Sequence, residues 1–239
     1  MSFIQLRNIT KSYKEAQQRH VIYDDLNLNL NKGEIIALLG RSGSGKSTLL
    51  NKLVGEKVSI ISPKPQTTRH QIMGICTQES TQAVFVDTPG IHQSGQKAIN
   101  RYMNKAALSV IGDVDLVLFL IDITRWTPED EYVFNEIIRR KAKVIMIGNK
   151  IDKIKRENVL EKLAILIDKT GLEDIVPVSA TKNDNLDYLK QLIFTSLPES
   201  PFMFPEDQIT DKSEGFVIAE FIREKLFCSL QQELPYALT

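Results

Sequence analysis

Glu34-Ile35-Ile36-Ala37-Leu38-Leu39 runs directly into Gly40-Arg41-Ser42-Gly43-Ser44-Gly45-Lys46-Ser47, and this junction decides the fold. A continuous apolar run stopping at a glycine-rich turn is the pattern of a strand buried on both faces of a parallel sheet. The turn matches G-x-x-x-x-G-K-S, and a helix is expected from Lys46. In such a turn the glycines let backbone N–H groups curl around phosphate oxygens, and the helix N-terminus adds partial positive charge. Lys46 reaches the outer phosphates and Ser47 offers its hydroxyl to Mg²⁺. Gly40, Arg41, Ser42, Gly43, Ser44, Gly45, Lys46, Ser47 and Thr48 are therefore candidate nucleotide-binding residues. A plain glycine-rich turn with a chance Lys-Ser is the bland alternative, and the strand-then-helix context argues against it.

Working outward, Ala83–Val86, Leu116–Ile121, Val144–Ile147 and Ile175–Val178 are further buried-strand candidates, separated by stretches long enough for helices. That alternation predicts an α/β fold, a doubly wound and mostly parallel sheet of the P-loop NTPase type, with ligands at the carboxyl ends of the strands. Thr127-Pro128-Glu129-Asp130 signals a helix start, with a cap, a proline in the first turn and acids near the positive end of the dipole. Leu186, Leu189, Leu192 and Ile193 mark another amphipathic helix. Ahead of the core, Phe3–Ile9 and Leu26–Asn31 alternate at the strand period and read as extra antiparallel strands. The turn-rich Leu197-Pro198-Glu199-Ser200-Pro201 reads as a boundary. The expected layout is 1–34 N-terminal strands, 35–198 nucleotide-binding domain, and 199–239 linker plus the start of another domain.

Three further segments fall at strand ends. Asp87-Thr88-Pro89-Gly90 closes the strand Ala83–Val86, which would put the Asp87 carboxylate beside the phosphate loop as an outer-sphere Mg²⁺ ligand and Gly90 as a backbone donor to the γ-phosphate. Asn149-Lys150-Ile151-Asp152 follows Val144–Ile147. A carboxylate at Asp152 can accept two N–H bonds from guanine that adenine cannot offer in the same geometry, which selects GTP over ATP. Each such charge-assisted bond contributes about 1.5–3 kcal/mol. Ser179-Ala180 would complete the base pocket with a backbone N–H to the guanine carbonyl.

Composition sets the limits. With 239 residues, 42% hydrophobic and 25% charged, and 30 Lys+Arg against 30 Asp+Glu, the chain is neither disordered nor globally basic, so nucleic-acid binding has to be argued locally. The most apolar run, Val114–Ile121, contains Asp115, and no transmembrane span is expected. The start of the chain has no signal-peptide pattern, and Cys76 and Cys228 are read as reduced and cytoplasmic.

From about Gly45 onward the chain resembles the Era-type GTPases of bacterial ribosome assembly. The resemblance runs through Lys64-Pro65-Gln66-Thr67-Thr68-Arg69-His70, Asp87-Thr88-Pro89-Gly90, Asn100-Arg101-Tyr102-Met103-Asn104-Lys105-Ala106-Ala107, Thr124-Arg125-Trp126-Thr127-Pro128, Asn149-Lys150-Ile151-Asp152 and Phe204-Pro205-Glu206-Asp207. It implies a translation-factor-type GTPase domain that binds GTP/GDP and Mg²⁺. Lys46, Thr68 and Gly90 are then the catalytic candidates, and Ser47, Thr68 and Asp87 the metal set. Thr67 and Thr68 belong to the first switch, and which of the two holds Mg²⁺ and the γ-phosphate stays open. Position 91 is Ile, where Ras-like enzymes place a water-orienting glutamine and Era-type enzymes also carry a hydrophobic residue, so hydrolysis should be slow without a partner. Gly43 stands where Era-type loops carry an asparagine tied to potassium binding, so the resemblance does not carry potassium stimulation over to this chain.

Residues 1 to about 50 resemble instead the start of an ABC transporter ATPase subunit: Lys11-Ser12-Tyr13, whose aromatic would stack on adenine, then Gly33-Glu34 and the Ser-Gly-Ser-Gly-Lys-Ser form of the loop. The sequence therefore reads as a hybrid with its seam inside Gly45–Leu50. Without an ABC signature or Asp-Glu pair further on, guanine is expected to win, and the N-terminal strands to pack loosely or stay mobile. At the other end, Gly215–Leu230 and Glu233–Tyr236 resemble the opening helix and strand of a KH domain, with no Gly-x-x-Gly clamp, so RNA binding is expected to be impaired.

The expected partners are guanine nucleotide and, by resemblance, the small ribosomal subunit and its rRNA. The expected state is a cytoplasmic monomer, with peripheral contact to the inner membrane face left open. The alternatives are an ABC-like ATP-binding fragment or a hybrid reading frame with no activity. Trp126 reads as a packing or capping residue. His20, His70 and His92 read as surface or switch-loop residues, Tyr13 as an ordinary strand tyrosine, and Arg139-Arg140-Lys141 as a solvated helix end.

Overall fold

The computed structural model describes residues 2–15, 18–31, 35–62, 68, 71–91, 104–105, 107–198 and 201–229. Strands β1 (Ser2–Glu15) and β2 (Gln18–Asn31), described through their backbone, pair antiparallel in a two-stranded sheet of their own. Both are longer than the alternating runs suggest. The expected adenine-stacking Tyr13 side chain lies outside what is described.

A six-stranded sheet follows, built from β3 (Ile35–Leu39), β4 (Ile72–Gln78), β5 (Thr81–Asp87), β6 (Leu116–Asp122), β7 (Val144–Asn149) and β8 (Ile175–Val178). Its order is β4-β5-β3-β6-β7-β8, parallel except for β4, which runs antiparallel to β5. The continuous apolar runs predict this because successive side chains serve opposite faces. Ile36 and Leu38, with Leu116, Leu118 and Leu120, enter one core together with Leu49, Leu50 and Leu53 of α1 (Lys46–Val54) and Leu189 and Ile193 of α4 (Leu186–Ser196). Ala37 and Leu39, with Val117, Phe119 and Ile121, enter the other with Val133, Phe134 and Ile137 of α2 (Pro128–Arg139) and Leu166 of α3 (Glu157–Thr170). Each fully buried Leu, Ile or Phe contributes about 1.5–3 kcal/mol.

Helix α2 begins as its sequence requires. The Thr127 hydroxyl accepts from Asp130 N–H, the Asp130 carboxylate accepts from Thr127 N–H, and Pro128 occupies the first turn. Trp126 is a packing residue, edge-on to Phe119 at 6.3 Å and Phe134 at 6.2 Å between ring centroids. Cys76 is buried and Cys228 exposed, and both are free thiols. No helix among the described residues is long and apolar enough to cross a membrane.

After α4, residues 203–204 bond to Gln82 on β5 and residues 209–211 pair along the outer edge of β4. The Gln82 amide accepts from Met203 N–H and Phe204 N–H (3.0 and 2.9 Å) and donates to Phe204 C=O. Ile75 N–H donates to Ile209 C=O, and the Thr210 hydroxyl donates to Met73 C=O (2.7 Å). The last helix described, α5 (Glu214–Ser229), meets Lys57, whose ammonium contacts Glu224 at 2.8 Å and lies 5.0 Å from the Phe221 ring centre. The expected KH strand at Glu233–Tyr236 lies outside the described residues.

The chain leaves β3 toward β5 on one side and later crosses to β6 on the other, so the carboxyl end of β3 is the topological switch point where α/β sheets bind ligands. Register completes the placement. Leu38 pairs with Asp87, Asp122 with Asn149, and Asn149 with Val178, which brings residues distant in sequence to one edge.

Candidate functional site

Gly45 stands at φ +105°, in the left-handed region that L side chains rarely adopt, and a Cβ there would lie 2.3 Å from the Asn149 amide nitrogen. The glycine is needed because the phosphate loop and the Asn149 side chain touch. Asn149 Nδ2 donates to Ser44 C=O (2.8 Å), while its Oδ1 accepts from Lys150 N–H (2.8 Å) and Ala180 N–H (3.1 Å). One buried amide thus ties together the phosphate loop, the loop after β7 and the loop after β8. Lys150, itself at φ +71°, strengthens the tie by donating from Nζ to Gly43 C=O (2.6 Å) and to Asp122 (2.8 Å). Asp152 Oδ1 accepts from the Ser179 hydroxyl at 2.5 Å, which fixes the carboxylate that would read the base. Of the Ser179-Ala180 backbone N–H groups, one of which is expected on the guanine carbonyl, Ser179 N–H donates to Asp184 C=O and Ala180 N–H to Asn149, so a base oxygen would have to share one.

At the phosphate end, Lys46 Nζ donates to Gly40 C=O (2.9 Å) and Arg41 C=O (3.3 Å). Burial lowers its ammonium from 10.5 to about 8, against the opposing pull of Asp87. A depressed lysine is a cost to folding below pH 8 that is relieved as pH rises toward 10.5, because the unfolded chain holds the extra proton across that window. A phosphate bound at Nζ favours the charged form, so binding restores the proton. Nucleotide affinity is therefore expected to be flat below about pH 8 and to fall above it, approaching tenfold per pH unit; titration calorimetry across that range checks this.

Ser47 Oγ donates to Asp87 Oδ2 (2.7 Å) and lies 3.1 Å from Thr68 Oγ1. Burial pushes the Asp87 carboxyl above the usual carboxylate range, against the pull of Lys46 and hydrogen bonds from Ser47 and Ser59. Asp87 Oδ1 is buried with no hydrogen-bond partner among the described residues. An orphaned carboxylate oxygen beside two converging hydroxyls fits Mg²⁺, a hard cation that keeps several waters and takes few direct protein ligands. No cluster of three or more His, Cys, Asp or Glu with metal-binding geometry occurs among the described residues. Gly90 lies against the phosphate loop, where a Cβ would sit 2.6 Å from Ser42 Cα. Thr48 lines the same cleft. Ile91, fully buried, bridges to Arg41. Thr67, His70 and His92 lie outside the described residues, as does the His20 side chain.

Sequence reasoning placed Arg41 on the phosphates through the loop backbone and missed what its side chain does. The buried guanidinium lies 3.5 Å from Asp122 and 3.4 Å from Asp130, which is fully buried. Burial would raise Asp122, but hydrogen bonds from Lys150 and Thr124 outweigh it and hold that carboxyl low, whereas burial wins at Asp130 and raises it. A buried ion network adds little net stability, while removing one partner leaves an uncompensated buried charge at a cost of about 3–5 kcal/mol. The available signal was Asp122, a carboxylate closing an all-apolar strand just as Asp87 does. Asn51 and Ser59 were missed as well.

Comparison with known proteins follows this geometry. A family model described as a 50S ribosome-binding GTPase matches residues 35–150. A solved structure of Era in complex with MgGDPNP and nucleotides 1506–1542 of 16S ribosomal RNA is 41% identical, with TM-score 0.80, covering 84% of this chain and 69% of that one. A variant of Aquifex aeolicus Era bound to GDP·AlF4⁻ is likewise 41% identical, with TM-score 0.80, covering 85% and 69%. A bacterial selenocysteine-specific elongation factor shares the fold alone, at 21% identity and TM-score 0.52, covering 67% of this chain and 28% of that one. These matches lend no support to the ABC-type reading of residues 1–50, nor to the hybrid drawn from it. With 41% identity over 69% of a solved Era chain, and with its phosphate loop stapled to its Asn-Lys-Ile-Asp loop, this chain belongs to the Era family of GTPases.

Proposed function

We propose that the chain binds GTP and GDP with Mg²⁺ in the cleft above β3 and hydrolyses GTP slowly, acting on the small ribosomal subunit through its rRNA. The observation that carries this reading is the continuous hydrogen-bonded path joining the two ends of a nucleotide site. Asp152 is held by Ser179, and Asn149 beside it is bonded to the phosphate loop that bears Lys46. The proposed layout is residues 1–34 as an N-terminal appendage, 35–198 as the GTPase domain, and 199–239 as the lead into an RNA-binding module.

In this reading Asp152 pairs with the guanine N–H groups, Lys46 neutralises the β- and γ-phosphates, and Gly90 N–H meets the γ-phosphate. Ser47 and Thr68 would hold Mg²⁺ directly and Asp87 through water. That ion would bridge phosphate oxygens and neutralise the charge that develops on them. The buried Ile91 offers no polar group to orient the attacking water, so backbone around Gly90 must do so, and the rate stays low until a partner contributes. The rRNA partner rests on the solved Era bound to 16S rRNA. A monomeric, cytoplasmic protein fits this role.

Melting curves test the reading. GTP or GDP with Mg²⁺ at a hundredfold excess over Kd is expected to stabilise the chain by about 2.7 kcal/mol, with ATP giving no comparable shift. Equal shifts with ATP, or none with GTP, would overturn it.

A further inference from the structure

Ser59 lies outside every nucleotide-binding segment, yet it is bonded to the carboxylate at the centre of the proposed metal site. It is completely buried within the otherwise apolar Val58–Ile61, where a hydroxyl costs free energy unless it is partnered. Its Oγ donates to Asp87 Oδ2 at 3.0 Å, the same oxygen that accepts from Ser47. Its backbone is gripped from α1, since Asn51 Oδ1 accepts from Val58 N–H (3.0 Å) and Ser59 N–H (2.9 Å), and Asn51 Nδ2 donates to Ser59 C=O (2.7 Å). One helix therefore delivers two hydroxyls to one carboxylate oxygen, Ser47 from its first turn and Ser59 through the Asn51 side chain.

We infer that Ser59 is a positioning residue for the metal site, braced by Asn51: by occupying Oδ2 together with Ser47 it fixes the Asp87 carboxylate and leaves Oδ1 as the oxygen that accepts from a Mg²⁺-bound water. This rests on the proposed role of Asp87 toward Mg²⁺. It accounts for two observations at once, the buried hydroxyl at Ser59 and the unpartnered Oδ1. Groups that orient a metal's outer sphere commonly change metal affinity by about ten- to a hundredfold when removed.

The test is the rate of release of a fluorescent GDP from the full chain while free Mg²⁺ is titrated with a chelator buffer. Ser59→Ala is expected to raise the Mg²⁺ concentration for half-maximal retention about tenfold, leaving Mg²⁺-free GDP affinity within about twofold. Ser59→Thr, which keeps the hydroxyl, restores the wild-type value. Ser59→Cys, a near-isostere with a weak donor, shifts it in the same direction as alanine and guards against a folding defect in the alanine variant. An unchanged Mg²⁺ requirement in Ser59→Ala, or equal weakening of GDP with and without Mg²⁺, would overturn the inference. Asp87→Asn separates this from the underlying reading. If that variant shifts the Mg²⁺ requirement while Ser59→Ala does not, only the brace fails. If neither moves it, the metal role of Asp87 fails too.

Discussion

Asp152→Asn is expected to lower GTP affinity by about a hundredfold or more and to transfer preference to the xanthine nucleotide. Guanine presents two N–H donors along one edge, N1–H and the 2-amino group, which the two carboxylate oxygens can accept together. An amide offers one acceptor and one donor, so one guanine donor meets another donor and stays unpaired. Xanthine carries a carbonyl at position 2, and the same amide suits it. The substitution acts on chemistry rather than pose because the Ser179 hydroxyl, 2.5 Å from Asp152 Oδ1, can bond either side chain. Melting curves with GTP and XTP check this: the GTP shift should vanish and an XTP shift appear. An undiminished GTP shift would mean that Asp152 does not read the base.

Gly45→Ala is expected to abolish nucleotide-dependent stabilisation and to destabilise the chain by about 2–5 kcal/mol. Two costs combine. At φ +105° an alanine sits in a strained backbone region, and its Cβ would stand 2.3 Å from Asn149 Nδ2. A flexible side-chain end could swing aside, but this amide is held by Ser44 C=O, Lys150 N–H and Ala180 N–H, and moving it breaks bonds to three loops at once. Chemical denaturation measures the stability loss, and titration with a fluorescent GDP measures the binding loss. Near-normal binding would show that the loops are not coupled through Asn149.

Much of this was legible in the chain, for a definite reason. Strands β3, β5, β6 and β7 are buried on both faces and β8 on one, so they appear as apolar runs, and each functional segment sits where such a run stops. Strand β4 was not legible. Ile72–Gln78 has a glycine at its third position and no clean alternation, because Ile72, Gly74, Ile75 and Cys76 are buried, on both faces of the strand, while Met73 and Thr77 are half-buried and Gln78 is exposed. The Arg41–Asp122–Asp130 network was invisible for another reason. Arg41 stands some eighty to ninety positions before the two acids, and the β3–β6 pairing brings it to them. Asn149 shows the intermediate case: the sequence identified it as part of a base-binding box, while its hydrogen bonds make it the fastening between that box and the phosphates. The ABC-like opening finds no support in the comparisons with known proteins, and it carries no weight in the reading of the sheet, since a short likeness before a shared loop says nothing about the sheet that follows.

The seam along β4 has a mechanical consequence. The segment leading to α5 is hemmed to β5, which ends in Asp87, and to its antiparallel neighbour β4, through Gln82 on β5 and Met73 and Ile75 on β4. The approach to α5 is therefore fastened at several points along its length, so the helix is borne by the sheet and not by a free tether.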